Sequence, residues 1–318
     1  KVGSWEDKEG NHIEMGLHVF FYNYANLFQL MEKVGALENV LPKEHTHLFI
    51  NNGGDLKSLD FRFPIGAPIN GLKAFFTTEQ LNFVDKIRNA LALGTSPIVR
   101  GLIDYEGAMV TIRELDKISF KKWFLSHGGS ARSLKRMWDP IAYALGFINC
   151  NDISARCMLT IFMMFAAKTE ASKLNLLKGS PHKWLTRPIV DYILKKGAKI
   201  HLNHKVKEII YSKDLSSFII NELRVQTKEG IKSISADKYL AACDVPGIKK
   251  IIPNEWYNLK DFKGISKLRA VAVSTIQLRY DGWVTELNKN NTDLSQPSGL
   301  DNLLYSADAS FSCFADLA

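Results

Sequence analysis

The first candidate for chemistry is a glycine-containing run, Gly66-x4-Gly71-Leu72-Lys73, whose spacing is close to that of a phosphate-binding loop. In such a loop the lysine follows the second glycine directly, and a helix begins there. Here Leu72 takes the position of the lysine and Pro68 interrupts the run, so we exclude a phosphate-binding loop. The sequence also contains no GxGxxG, and therefore no complete dinucleotide-binding motif of its own.

The histidines and cysteines predict neither a metal site nor a nucleophile. The close pairs His45-x-His47 and His201-x2-His204 have no carboxylate or cysteine at ligand spacing. The cysteines form no CxxC pair, and no neighbouring base is placed to activate a thiolate; they are Cys150, Cys157, Cys243 and Cys313. We therefore expect no metal, a reducing compartment and structural cysteines.

Two features keep both a functional and a structural interpretation. Residues 14–21 combine Gly16, which permits a close backbone approach, with His18 between apolar residues; the alternative is a hydrogen-bonded core histidine. Trp138 and the apolar run 154–167 would line an apolar cavity, or would simply form helical core.

Composition predicts a globular protein of about two domains, at about 150 residues per domain. Hydrophobic residues make up 46% and charged residues 23% of the chain, which excludes disorder. The longest apolar run, 157–167, is shorter than the roughly 20 residues that span a bilayer.

The net charge of +8 is concentrated in one part of the chain. Residues 1–110 carry −3, residues 111–210 carry +11 and residues 211–318 carry zero. A local basic excess favours lipid headgroups, nucleic acid or a phosphate-bearing cofactor, although a solvated lysine-rich helix face is the alternative. Because the basic residues do not alternate with aromatic ones, no nucleic-acid partner is predicted.

Hydrophobic periodicity predicts a helical middle followed by a strand-rich last third, which is typical of a mixed α/β or α+β protein. Helices are expected at 26–34, 119–127, 131–138, 154–171 and 188–196. A capping box at 77–80 introduces a further helix whose apolar stripe is Leu81, Val84, Ile87 and Leu91. Residues 61–76 are predicted to form a buried or membrane-facing loop. Strands are expected at 45–50, 58–63, 199–203, 205–212, 218–228, 231–234, 238–243 and 271–280.

The sequence resembles the ζ-carotene desaturases of plants and cyanobacteria, within the flavin-dependent amine-oxidase-like superfamily. The match extends from end to end, and the residues that carry it are 10–21, 59–64, 136–147, 154–162, 241–249 and 299–305. The resemblance implies an FAD cofactor in a Rossmann-like domain that is assembled from three separate stretches of sequence. Its first and last stretches are expected to lie outside residues 1–318, so the chain is expected to be a fragment that is inactive alone.

The resemblance also assigns roles to individual residues. Gly16, Leu17 and His18 are expected to border the isoalloxazine ring, and Val206, Ala242 and Cys243 to contact the adenosine part of FAD. The expected substrate cavity is lined by Phe61, Arg62, Phe63, Trp138, Lys168, Thr169 and Glu170.

The expected domains follow from the same resemblance. Residues 1–55 and 197–260 contribute to the FAD-binding domain, and 56–196 form a largely helical substrate and membrane domain. Residues 261–318 return to the sheet of that substrate domain.

The activity implied is stepwise 7,8-desaturation of ζ-carotene through neurosporene to a lycopene isomer. A flavin would perform the hydride transfer, which no side chain can do alone. The implied electron acceptor is plastoquinone or another quinone, and the implied location is the surface of a plastid or cyanobacterial membrane. Alternatives are phytoene desaturase, protoporphyrinogen oxidase and a flavin-less protein that binds apolar ligands.

Overall fold

The computed structural model describes residues 3–16, 18–43, 46–61, 68–167, 174–214, 217–279 and 304–315. The chain divides into two units, the first made of Lys1–Tyr192 with Ser274–Ala318 and the second of Ile193–Val273. Helices and strands occur in both, as expected for a mixed α/β protein. The predicted division at residues 55, 196 and 260 stays a prediction.

The first unit contains most of the helices. They are α1 (Ala25–Lys33), α2 (Ile69–Thr77), α3 (Phe83–Gly94), α4 (Pro97–Gly101), α5 (Tyr105–Glu114), α6 (Phe120–Ser126), α7 (Ala131–Ser133), α8 (Asp139–Gly146) and α9 (Ala155–Ala167). A π-helical turn at Leu134–Trp138 joins α7 to α8. Another π-helical turn, His182–Thr186, precedes α10 (Arg187–Lys195), which contains the boundary between the units. None of the described helices is long and apolar enough to cross a membrane.

Three small sheets complete the first unit. In the two-stranded sheet, β1 (Ser4–Glu6) is antiparallel to β2 (His12–Glu14). A three-stranded antiparallel sheet has the order β3 (Phe20–Phe21), β7 (Leu174–Leu177), β4 (Val40–Lys43). The four-stranded sheet has the order β12 (Cys313–Phe314), β11 (Leu304–Ser306), β5 (His47–Ile50), β6 (Leu56–Leu59). In it β11 runs parallel to β5, and the other pairs are antiparallel.

Helix α9 lies in the core of the first unit, as its nearly continuous apolar sequence predicts. Met158, Leu159 and Met163 are fully buried. The helix packs against α4, α5 and α6. A group of edge-to-face aromatic rings around Phe120 and Trp138 adjoins it. The predicted continuation of this helix through 168–171 lies outside the described residues.

A polar junction joins the helices to the four-stranded sheet. Arg136, in the π-helical turn, donates from Nη1 to both carboxylate oxygens of Asp308, at 2.8 and 2.7 Å. Its backbone carbonyl accepts from Nε2 of Gln80 at 2.7 Å. The guanidinium also bonds to Asn51, which follows β5. One arginine therefore connects three segments that are far apart in the sequence.

Replacing Asp308 with asparagine is expected to lower the free energy of unfolding at pH 7 by about 1 to 2 kcal/mol. The Arg136 guanidinium holds the pKa of the Asp308 carboxyl below its usual 3.8. A folded-state pKa below the unfolded one stabilises the protein fully above about pH 5, and this stabilisation disappears as the pH falls through the folded-state pKa. Urea unfolding of wild type and Asp308→Asn should therefore differ near neutral pH and converge in acid. If the difference in unfolding free energy between the two proteins stayed constant in acid, the contribution of the ion pair would be contradicted. The control is Asp237→Asn, at an exposed aspartate.

The second unit is built on an antiparallel meander of β8 (Lys205–Asp214), β9 (Ser217–Thr227) and β10 (Gly230–Ile234). These strands confirm the prediction of a strand at 205–212 followed by a hairpin. Helix α11 (Val245–Ile251) follows, capped by Asp244, whose carboxylate accepts from the backbone N–H of Gly247 at 2.7 Å. Trp256 is buried among aromatic rings from the same unit.

Several sequence predictions of secondary structure are wrong. Residues 199–203, 238–243 and 271–279 form no strand, although their apolar patterns predict strands. A strand needs a neighbour that accepts and donates its backbone hydrogen bonds, and no described residue pairs with these segments. Residue 280 lies outside the described residues.

The boundaries around α2 and α3 also differ from prediction. Residues 69–77 form helix α2 rather than a loop. Thr77 is the last residue of α2, so it does not cap the next helix. Asn82 caps α3 instead, because its side chain accepts from the N–H of Asp85 at 2.7 Å. Only Leu81 of the predicted apolar stripe is buried; its other three members are exposed.

Candidate functional site

Five rings from separate parts of the first unit form a continuous aromatic cluster, consisting of Phe21, His47, Phe61, Phe165 and Tyr305. Phe165 lies at its centre, with ring centroids 6.0 Å from Phe21, 6.3 Å from His47 and 5.8 Å from Phe61. The ring of His47 is 5.5 Å from those of both Phe61 and Tyr305. Phe21, His47 and Tyr305 are buried, whereas Phe61 and Phe165 are half-buried, so these last two rings are the ones that could contact an apolar molecule.

The four-stranded sheet positions two members of the aromatic cluster. His47 begins β5, and the parallel pairing of β11 with β5 places Tyr305 opposite Phe49. The Tyr305 hydroxyl lies 2.9 Å from Nδ1 of His47, and both side chains are buried. Burial raises the pKa of the Tyr305 phenol, so this group stays neutral at physiological pH. The cluster therefore carries polar atoms but gains no negative charge from Tyr305.

The segment expected to face the flavin leads directly into the aromatic cluster. Gly16 has φ of 102°, a left-handed conformation that side-chain-bearing residues rarely adopt. The atom nearest to a Cβ built on Gly16 is Oγ1 of Thr275, at 3.7 Å. His18 is half-buried, and Phe21 lies three residues further on. Leu17 is outside the described residues.

The residues expected at the adenosine part of FAD all lie in the second unit. Val206 is half-buried on β8, opposite the buried Val225 of β9. Ala242 and Cys243 are exposed and precede α11. They do not form the predicted strand.

Taken separately, each group of residues fits the part of FAD that the resemblance assigns to it. In the second unit, the side chains of Val206, Ala242 and Cys243 are small and partly or fully accessible, so they would leave room for a purine ring. In the first unit, Gly16 has the backbone conformation and the absence of a side chain that a close approach to the flavin ring requires.

The predicted cavity residues fall into three groups. Phe61 belongs to the aromatic cluster. Trp138 is buried in the helical core, where its Nε1 donates to Oδ1 of Asn89 at 2.7 Å and its ring lies 4.7 Å from that of Phe162. The others lie outside the described residues: Arg62, Phe63, Lys168, Thr169 and Glu170. All of these roles stay predictions.

The described residues hold no group of three histidine, cysteine or acidic side chains that could bind a metal ion. Cys150 is buried, and burial raises the pKa of its thiol. Cys157 and Cys243 are exposed, and Cys313 is half-buried. His201 and His204 lie with ring centroids 5.1 Å apart, and His45 is outside the described residues.

Sequence reasoning missed the centre of the aromatic cluster. The apolar run 154–167 does not distinguish Phe165 from its neighbours, and Tyr305 enters only through the family resemblance of residues 299–305. The spacing of Phe162 and Phe165, three residues apart on α9, places them on one side of that helix. No local pattern connects α9 with β5 and β11, because long-range packing alone brings them together.

Comparison with known proteins assigns the chain to a protein family. The model of the flavin containing amine oxidoreductase family matches residues 1–317, so the chain belongs to that family. Over its whole length it is 64% identical to a "Probable zeta-carotene desaturase" of Synechococcus elongatus and covers 66% of that protein. It is 56% identical to the zeta-carotene desaturase of Solanum lycopersicum, covering 55% of it. Identity to the 15-cis-phytoene desaturase of Capsicum annuum is 30%, with 51% of that protein covered. The chain thus spans about half to two thirds of these curated relatives.

Proposed function

We propose that the chain is part of an FAD-dependent carotenoid desaturase that converts ζ-carotene stepwise, through neurosporene, to a lycopene isomer. The observation that carries this proposal is the contrast in identity over the whole chain. Identity is 56–64% to proteins named zeta-carotene desaturase and 30% to a phytoene desaturase. The aromatic cluster supports the same proposal, because a carotene is long, apolar and rich in π-electrons.

The chemistry of the reaction determines which role belongs to FAD and which to the residues of this chain. FAD, when bound, supplies the hydride acceptor that protein side chains cannot supply. The chain's own residues bind and orient the substrate and exclude water. Phe61 and Phe165 would pack against the polyene, and the buried pair of His47 and Tyr305 would support these two rings from the side of the sheet. Each desaturation removes a hydride from one carbon and a proton from the neighbouring carbon, so a base beside the substrate must accept that proton.

The proposed partners are a carotene and a quinone, plastoquinone in plastids. Both dissolve in hydrocarbon, so we propose that the protein acts at the surface of a plastid or cyanobacterial membrane. Two findings support this location. The plant relatives are named chloroplastic/chromoplastic, and other relatives come from cyanobacteria. Residues 111–210 also carry a charge of +11, which suits an anionic surface.

The direct test is a chimera in which this chain replaces the matching region of the Synechococcus elongatus relative. Expressed in bacteria that accumulate ζ-carotene, the chimera should produce neurosporene and lycopene and should purify with bound flavin. Conversion of phytoene instead would identify the sister activity. A folded chimera without flavin or carotene conversion would contradict the proposal and favour a protein that only binds apolar ligands.

A further inference from the structure

Helix α3 is turned the opposite way from an ordinary surface helix. Its polar residues Asp85 and Asn89 are 4% and 0% exposed. Four of its five large apolar residues are outside: Phe83 is 75%, Val84 61%, Ile87 51% and Leu91 55% exposed, and only Leu93 packs against the core. A helix surrounded by water buries its apolar side and exposes its polar side. The arrangement of α3 is therefore suited to apolar surroundings.

Specific hydrogen bonds hold α3 in this orientation. Ser130 donates from its hydroxyl to Oδ1 of Asp85 at 2.6 Å. Asn89 donates to the hydroxyl of Ser133 at 2.5 Å and accepts from Nε1 of Trp138 at 2.7 Å. Rotation of the helix about its axis would break these buried bonds and leave their groups unpaired, which is costly. The apolar side of α3 thus cannot turn inward without loss of stability.

The charges on α3 lie at the edges of its apolar side. At about 100° per residue, the exposed apolar side chains occupy an arc of roughly 100°, with Lys86 beyond one edge and Arg88 beyond the other. Lys86 Nζ donates to the carbonyl of Phe76 at 2.7 Å. Arg88 donates to the carbonyls of Gly128 and Gly129 at 2.9 and 3.1 Å. The single acid of the helix, Asp85, is on the buried side.

We propose that α3 lies in the surface of a lipid bilayer containing anionic lipid, with its exposed apolar side among the acyl chains. Lys86 and Arg88 then lie at the level of the headgroups. Twelve residues form a helix of about 18 Å, which suits a position parallel to the surface and is too short to span the membrane. This inference rests on the proposed function insofar as substrate and acceptor are dissolved in the same bilayer.

Charge and surroundings favour a bilayer over a protein partner. Cations at both edges of an acid-free apolar side match anionic headgroups above a hydrocarbon interior. The helices before and after α3 also expose apolar side chains. Phe76 of α2, whose carbonyl binds Lys86, is 55% exposed, and Ile103, just after α4, is 96% exposed.

The same contacts connect α3 to the candidate site. Asn89 bonds to Trp138, and the Trp138 ring packs on Phe162 of α9. Phe165, the centre of the aromatic cluster, follows on α9 one turn later. Packed side chains therefore link the bilayer-facing helix to the wall against which the carotene is proposed to lie.

The test is sedimentation of the chimera with vesicles of phosphatidylcholine, with and without phosphatidylglycerol. The chimera without substitutions should bind both kinds of vesicle, and it should bind more strongly when phosphatidylglycerol is present. Added salt should weaken this additional binding. Ile87→Glu should weaken binding about tenfold or more, since it replaces an immersed apolar side chain with a charge. The matched control is Ile231→Glu, at a similarly exposed isoleucine of β10 (60% against 51% for Ile87), which should bind like the unsubstituted chimera. Thermal unfolding monitored by circular dichroism verifies that each variant folds.

Three results would overturn the inference: unchanged binding of a folded Ile87→Glu, equal loss in Ile231→Glu, or a wild-type dimer that Ile87→Glu converts to a monomer. The last would identify a second copy as the partner. Because vesicle binding requires no turnover, the two proposals fail separately. Binding through α3 without any desaturated product would contradict the proposed function alone. If the chimera forms desaturated product but its vesicle binding is unchanged by Ile87→Glu, only the membrane inference is contradicted.

Discussion

Replacing Trp138 with alanine is expected to lower the free energy of unfolding by about 4 kcal/mol. The indole is buried, and its ring packs against those of Phe120, Phe124 and Phe162. Removing it leaves a cavity in the helical core and deprives the buried Oδ1 of Asn89 of its donor. Urea unfolding monitored by circular dichroism measures the change. A loss below about 1 kcal/mol would contradict this packing.

Trp138→Phe separates the two contributions, because it keeps an aromatic ring but removes the Nε1 donor. We expect a loss of about 1 to 2 kcal/mol from the unpaired Asn89 acceptor. The same variant tests the predicted place of Trp138 in the substrate cavity. A higher KM for carotene at unchanged flavin content supports that role, whereas an unchanged KM restricts Trp138 to the core.

Replacing Gly16 with alanine is expected to reduce carotene desaturation by the chimera about 100-fold, since a small displacement of a group beside the reacting atoms has effects of that size. Its φ of 102° is strained for any residue with a side chain. The backbone around residue 16 would shift to relieve this strain, and the segment proposed to border the flavin would move with it. Flavin absorbance and product analysis of the purified chimera measure the effect.

Gly10→Ala is the matched control. Gly10 also has a positive φ, of 81°, and a Cβ there would meet nothing within 4 Å. Both substitutions impose a similar backbone strain of about 1 to 2 kcal/mol, but only residue 16 is proposed to lie beside the flavin. If neither variant lost activity, or if both lost the same amount, the proposed special role of Gly16 would be contradicted.

The parts of the fold that the sequence predicts are those set by local patterns. The apolar run of α9 and the hairpin around Gly230 were located within a few residues. Segments 238–243 and 271–279 have strand-like patterns but lack a pairing partner among the described residues, and a pattern cannot supply one. The stripe of α3 was recognised, but periodicity gives only the side on which apolar residues lie. It does not tell whether that side faces the core or an apolar solvent.

The candidate site was predicted unevenly for a similar reason. Gly16 was singled out because a glycine next to a histidine in an apolar segment is visible locally. Phe61 came only from a family resemblance, and Phe165 and Tyr305 were not assigned a role. These three rings lie on a loop, a helix and a strand that meet only after tertiary folding. A cluster that forms only in the tertiary structure produces no recognisable spacing of residues in the sequence.

The pairing of β11 with β5 has a consequence for biosynthesis. His47 and Tyr305 are 258 residues apart, so β5 has no parallel neighbour until about 258 further residues have been synthesised. At about 5 to 20 residues per second, that delay is roughly 10 to 50 s. During this time the side of the core that Tyr305 will cover is open to other chains. We therefore expect nascent chains that end before residue 304 to be held by chaperones, and release to coincide with synthesis of β11.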